Sequence, residues 1–175
     1  MMATRRVAWG LCLLTVIAVA GYAKFLWVRA HSAAPGAIAR LGRELPPLPV
    51  FDAAGRQVDI AKAARGSKSI IAFYSGSCRV CQEVIPLLQP FPPALRLFLI
   101  HTKAESSPQS PAALRLAGAS VFSDRNDVFS RSLPLTGVPA FLFVDERGVL
   151  RDGLVGKRAL YRLRRKLQEF AQVNP

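Results

Sequence analysis

Cysteine is scarce in this chain, with three among 175 residues. That is too few for a disulfide framework. Cys12 stands inside an apolar run, which leaves a single pair, Cys78 and Cys81, at Cys-x-x-Cys spacing. Histidine is scarcer still. With only His31 and His101, neither a second Cys pair nor a His pair exists to complete a four-ligand zinc site. Acidic residues are few as well, 11 Asp and Glu against 24 Lys and Arg, for a formal net charge of +13. So basic a balance raises nucleic acid as a partner, but no basic stretch is interleaved with stacking aromatics and no nucleic-acid motif occurs. A solvated basic surface is the plainer reading. Attraction to anionic lipid headgroups fits it if the chain is tethered to a membrane.

Apolar material, by contrast, is plentiful: 51% of residues are hydrophobic and ten are Phe, enough for the core of one domain with an appendage. Part of it lies at the amino terminus. No charge occurs from Val7 to Ala23, and after Lys24 the apolar run resumes through Phe25-Leu26-Trp27-Val28. As a helix these positions rise about 33 Å, enough to cross a hydrocarbon core of about 30 Å. Lys24 can snorkel to the interface beside Trp27. Residues 1–28 are therefore expected to be a membrane anchor. A cleaved secretory signal is the competing reading, with Arg5-Arg6 as its basic region and Ala30-His31-Ser32 as a small-x-small site. Charge does not set the topology, because Lys24, Arg29, Arg40 and Arg43 on one side oppose Arg5 and Arg6 on the other. Residues 29–45 read as a tether, and 46–175 as the folded domain, entered through Leu45-Pro46-Pro47-Leu48-Pro49.

Within the domain, strand and helix signals alternate. Phe51 to Ile60 predicts a short hairpin, followed by a brief helix before Gly66. Ser69 to Tyr74 is a buried strand, and Val80, Val84, Leu87 and Leu88 form one apolar stripe of a helix that Pro86 should kink. Leu95 to Ile100 is a further strand, Ala112 to Ala117 a helix, Val121-Phe122 a short strand and Asp124 to Leu133 a short helix. Gly137-Val138-Pro139 leads into a strong strand that turns at Glu146-Arg147-Gly148 and returns to Val155. Lys157 to Ala171 closes the chain as a helix, with Leu160, Leu163, Leu167 and Phe170 on one face. Strand, helix, strand, helix, hairpin and closing helix describe an α/β sandwich with a mixed sheet.

The Cys pair falls where a strand ends and a helix begins. There the free N–H groups of the first turn and the positive end of the helix dipole favour a thiolate. Cys78, at the helix start and expected to be exposed, is the candidate nucleophile, with Arg79 as a second source of positive charge. Cys81, one turn deeper, can attack a mixed disulfide at Cys78 and release the reduced partner. A purely structural disulfide is the alternative, but so short a loop constrains little of the unfolded chain. His101 ends a predicted strand and is either a base or an ordinary strand-end histidine.

These residues carry a resemblance. The strand, Cys78-Arg79-Val80-Cys81, Pro86 and Gly137-Val138-Pro139 before a strand resemble a thioredoxin-fold thiol–disulfide oxidoreductase. The hairpin, the amino-terminal anchor and a gap from Cys78 to Pro139 longer than plain thioredoxin's make the chain similar to the membrane-tethered TlpA/ResA group and to MauD-like proteins. The resemblance implies a thioredoxin-like three-layer sandwich with a mixed central sheet, preceded by one transmembrane helix. It also implies a cis Pro139 packed against the Cys pair, a Val138 backbone that pairs with substrate, and Arg79 and Val80 as modulators of the site. No cofactor beyond the Cys78–Cys81 disulfide is expected. The domain would lie on the extracytoplasmic (periplasmic) side, with protein thiols or disulfides, a membrane electron carrier and membrane lipid as partners, and no nucleic acid. Reduction of partner disulfides, as in cytochrome c maturation, is the expected direction; oxidation or isomerisation for a secreted subunit is its counterpart. A redox-inactive binding module or metallochaperone on the same fold is the competing class. Two features depart from the pattern. Ser77 stands where many relatives have Trp, and Ser69–Tyr74 lacks the buried acid of thioredoxin.

Overall fold

A computed structural model describes residue 22 and residues 41–102, 116, 118–125, 131–133, 135 and 137–172. The chain divides into two units, Met1–Pro35 and Gly36–Pro175, and the elements that follow belong to the second. The expected anchor, residues 1–28, and the expected helix Ala112–Ala117 lie outside the described residues, Tyr22 and Leu116 apart. Among the described residues no helix is long and apolar enough to cross a membrane.

Seven strands form one sheet: β1 (Pro49–Phe51), β2 (Gln57–Asp59), β3 (Ser69–Tyr74), β4 (Arg96–Thr102), β5 (Ala119–Asp124), β6 (Ala140–Val144) and β7 (Leu150–Val155). Their order is β2-β1-β5-β4-β3-β6-β7. β3, β4 and β5 run parallel, whereas β6 is antiparallel to β3, and the β1–β2 and β6–β7 pairs are antiparallel hairpins. β3 and β6 are buried along their whole length. That explains their unbroken apolar runs, because a central strand covered on both faces has no polar side to show.

Side chains alternate across the sheet and build two cores. Ile71, Phe73, Phe98, Ile100, Leu142 and Val144 face one layer, closed by Leu45, Leu48, Ile60 and Leu133. Ile70, Ala72, Tyr74, Leu97, Leu99, Phe141 and Phe143 face the other. That second layer is made by two helices, α2 (Arg79–Val84) and α3 (Arg158–Gln172), through Cys81, Val84, Ala159, Leu163 and Leu167. The short helix α1 (Ile60–Ala63) begins at the end of the first hairpin, where the Asp59 side chain accepts from Ala61 N–H at 3.1 Å. The α/β sandwich with a mixed sheet follows the sequence pattern, and its layering is that which the resemblance implies.

The helix expected to be kinked by Pro86 is cut short instead. α2 ends at Val84 and continues as a 3₁₀ turn over Ile85–Leu88 with Pro86 in its first positions. Proline has no N–H to give to the carbonyl four residues back, so the α-ladder stops and a tighter turn carries Leu88 into the core. The short strand expected at Val121-Phe122 extends over Ala119–Asp124, and Asp124, expected to open a helix, is its last residue. Residues 126–130 of that expected helix lie outside the described residues.

Candidate active site

The two cysteines are brought together by the junction of β3 with α2. Tyr74 ends the strand, Ser75-Gly76-Ser77 turns the chain, and Cys78 is the residue that caps α2, with extended backbone (φ −84°, ψ 107°). Its sulfur accepts the N–H of Cys81 at 3.1 Å, so one otherwise unpartnered donor of the first turn is aimed at Sγ. The two sulfurs are joined as a disulfide. Cys81 is 2% exposed and belongs to the core beneath α2, whereas Cys78 is half-buried. Cys78 is therefore less open than its position in the sequence suggests. The cause is the loop that carries Pro139: the Val138 carbonyl oxygen lies 3.6 Å from Cys78 Sγ.

That loop is built for a close approach. The Val138–Pro139 peptide is cis, as the resemblance implies, and Pro139 is buried while Val138 is half-buried. Gly137 precedes it at φ +152°, a backbone conformation that side chains with a Cβ rarely adopt. Pro139 O in turn accepts the N–H of Gly156 at 2.8 Å, which ties the loop to the start of α3.

The other candidate residues are placed less directly. Arg79 is 93% exposed and lies 3.7 Å from Glu83, one turn along the same helix. Its charge faces solvent and a carboxylate, so the electrostatic help expected from it at Cys78 is largely screened. Val80 is half-buried against the core of α2 and α3. Ser75 and Ser77, whose hydroxyls are 3.1 Å apart, occupy the turn where a Trp platform would otherwise stand.

His101 is neither idle nor placed as an evident base. Parallel pairing sets it beside Tyr74, and its Nε2 accepts the N–H of Gly76 at 3.2 Å. His101 thereby holds the turn that leads to Cys78. Gln82 holds the same residue through the next peptide, donating to Gly76 O at 3.3 Å. Both polar groups of Gly76 are thus fixed by side chains two residues ahead of Cys78.

Among the described residues no carboxylate is hydrogen-bonded or ion-paired to the Cys pair. The core residues around Cys81 include Ala72 and Tyr74, and burial pushes the Tyr74 phenol up to about 12, so it stays protonated near neutrality. Asp124 is 2% exposed at the same sheet edge, but two strands away, about 10 Å from β3. Among the described residues no three His, Cys, Asp or Glu side chains converge on a metal-binding position. A cavity of about 550 Å³ lies at the opposite edge of the sheet, floored by Phe143 and Phe170. Of the charges that line it, Asp145 pairs with Arg151 at 2.7 Å and Asp152 with Lys166.

This topology, with a Cys-x-x-Cys pair capping a helix and facing a cis-proline loop, defines the chain as a protein of thioredoxin-like fold. Among solved structures it is similar to the thioredoxin domain of a thiol-disulfide oxidoreductase from Bacteroides vulgatus, at 16% identity and a TM-score of 0.59 over 75% of this chain and 98% of that one. A thiol:disulfide interchange protein from Bacteroides sp. is similar at 15% identity and a TM-score of 0.57, over 76% of this chain and 91% of that one. A thioredoxin-like protein from Porphyromonas gingivalis is similar at 22% identity and 0.57, over 73% and 92%. No protein-family model and no curated protein matches the sequence.

Proposed function

We propose that the chain is a thiol–disulfide oxidoreductase that exchanges electrons with partner-protein disulfides through Cys78 and Cys81. The observation that carries this reading is the asymmetry of the pair: Cys78 is half-buried at the helix start and Cys81 is buried one turn below, bonded to it. In the reducing direction the Cys78 thiolate attacks one sulfur of the partner's disulfide, and the partner's other sulfur leaves as a thiolate. Cys81, on losing its proton, then attacks Cys78 Sγ. The second partner sulfur is released and the Cys78–Cys81 disulfide closes. Two electrons pass to the partner, and the two thiol protons of the pair end on its sulfurs. The partner's backbone lies against Val138, whose carbonyl points at Cys78.

We take reduction as the working direction. The helix end and the Cys81 N–H favour the Cys78 thiolate, but Arg79 is turned to Glu83 and adds little, so the reduced form gains limited stabilisation. The apolar stretch from Val7 to Val28 supports tethering on the extracytoplasmic side of a membrane, where partner disulfides persist and a membrane carrier can return electrons to the pair.

Trapping tests the exchange itself. Cys81→Ser should accumulate mixed disulfides with partner proteins through Cys78, and Cys78→Ser should accumulate none. Absence of adducts with Cys81→Ser, in a chain whose Cys78 still alkylates, would sink the proposal. The reduction potential of the pair tests direction: a value near about −270 mV supports a reductant, and one near about −120 mV an oxidant.

A further inference from the structure

The solvent face of α3 begins beside the Cys site. Gly156 N–H is bonded to Pro139 O at 2.8 Å, and Lys157 and Arg158 follow directly. Ala159, Leu163 and Leu167 pack on the sheet, which leaves Lys157, Arg158, Tyr161, Arg162, Arg164 and Arg165 exposed. Arg165 lies 3.5 Å from Glu169. Lys157, Arg158, Arg162 and Arg164 have no ion-pair partner among the described residues. In their midst stands Tyr161, 86% exposed, one turn from Lys157, Arg158, Arg164 and Arg165. Interspersed charges of both signs mark a solvated helix face, and on this helix Glu169 is the one exposed acid. This face pairs unneutralised arginines with a bare aromatic, the side chains that dominate the energetics of protein contacts.

We propose that this face docks an acidic partner protein while the partner's disulfide is exchanged at Cys78. The inference rests on the thiol–disulfide reading above. An anionic bilayer is the other surface of matching charge, and position argues against it. The patch starts at the loop that covers Cys78, so a bilayer lying on Lys157 and Arg158 would crowd the rim a folded partner must reach. A protein engaged at Cys78 meets that rim of necessity. Complementary charge there steers the encounter and fixes the partner's orientation, and the exchange chemistry is unchanged.

The test uses the full chain, reduced, in nonionic detergent. Two disulfide-bonded peptides identical except for Glu-rich or Lys-rich flanks serve as substrates, with hydroxyethyl disulfide as a small neutral control. At about 20 mM salt the Glu-flanked peptide should react about 10- to 100-fold faster in kcat/KM, and the difference should shrink to about twofold near 300 mM. Combining Lys157→Gln, Arg158→Gln, Arg162→Gln and Arg164→Gln should abolish the preference, and Tyr161→Ala should slow the Glu-flanked peptide several-fold. Neither variant should alter the rate with hydroxyethyl disulfide. Equal rates for the two peptides, or a preference that survives the combined variant, overturns the docking proposal. So does a combined variant that loses binding to phosphatidylglycerol vesicles while keeping its peptide preference, which would assign the face to lipid. Failure to react with hydroxyethyl disulfide at all would instead overturn the exchange reading.

Discussion

Single residues divide the site into what carries sulfur chemistry and what holds it in place. The helix-capping sulfur of Cys78 receives a backbone N–H from Cys81, and Val138 O stands over it. Neither contact would matter if the turn before Cys78 were free to move, and His101 and Gln82 pin it through Gly76. Replacing His101 with Leu removes the acceptor and strands the Gly76 N–H in a half-buried position. We expect stability to fall by about 1–3 kcal/mol. His101→Gln, which offers a neutral acceptor of similar reach, should recover most of it. Urea unfolding of the oxidised chain measures both, and a His101→Leu midpoint equal to wild type removes the positioning role. The two cysteines could be read from spacing, and Pro139 only from the resemblance that their motif carries. The role of His101 could not, because its partner is a backbone group 25 residues away in sequence that only the β3–β4 register brings within reach.

Elements were legible where apolar pattern and turn chemistry agreed. β3, β6 and α3 lie close to where periodicity put them, because each buries a continuous run or one clean stripe. β5 was underestimated for the converse reason. Ser120 and Ser123 dilute its pattern, and its length is supplied by pairing with β4 from Ala119 to Asp124. The β6–β7 turn shows how one carboxylate can set a hairpin. Asp145 Oδ1 accepts from Arg147 N–H at 3.0 Å and Val149 N–H at 2.8 Å, and Oδ2 accepts from Arg151 Nε at 2.8 Å. Burial alone would push this carboxyl up, but the Val149 N–H and the Arg151 guanidinium outweigh it, so its pKa lies below the ordinary 3.8. A depressed folded value means that this stabilisation is complete above the unfolded pKa and is lost as pH falls through the folded one. Asp145→Asn should therefore cost about 1–3 kcal/mol at pH 7. The gap to wild type should narrow as pH drops below about 4. Denaturant melts at neutral and acid pH decide this, and a gap that is constant with pH contradicts the assignment.

At the scale of the whole molecule, the net charge of +13 acts on stability as well as on partners. Like charges crowded on a folded surface repel, and salt screens them within about 10 Å at 0.1 M. We expect the melting temperature of the domain to rise between about 10 and 300 mM sodium chloride, and to rise less when Lys157, Arg158, Arg162 and Arg164 are made Gln. A melting temperature independent of salt would show that these charges are already neutralised. The sequence by itself determined the alternation of strand and helix, the placing of Cys78 and Cys81 at a strand–helix junction, and the scarcity of acid. These are local properties of pattern and composition, which a chain carries wherever it goes. Tertiary structure decided how far Cys78 is covered, that Arg79 turns to Glu83, that His101 fixes Gly76, and that the basic face of α3 opens beside Pro139. Each of these is a distance between groups far apart in sequence or a choice among rotamers, and only sheet register and helix packing fix such quantities.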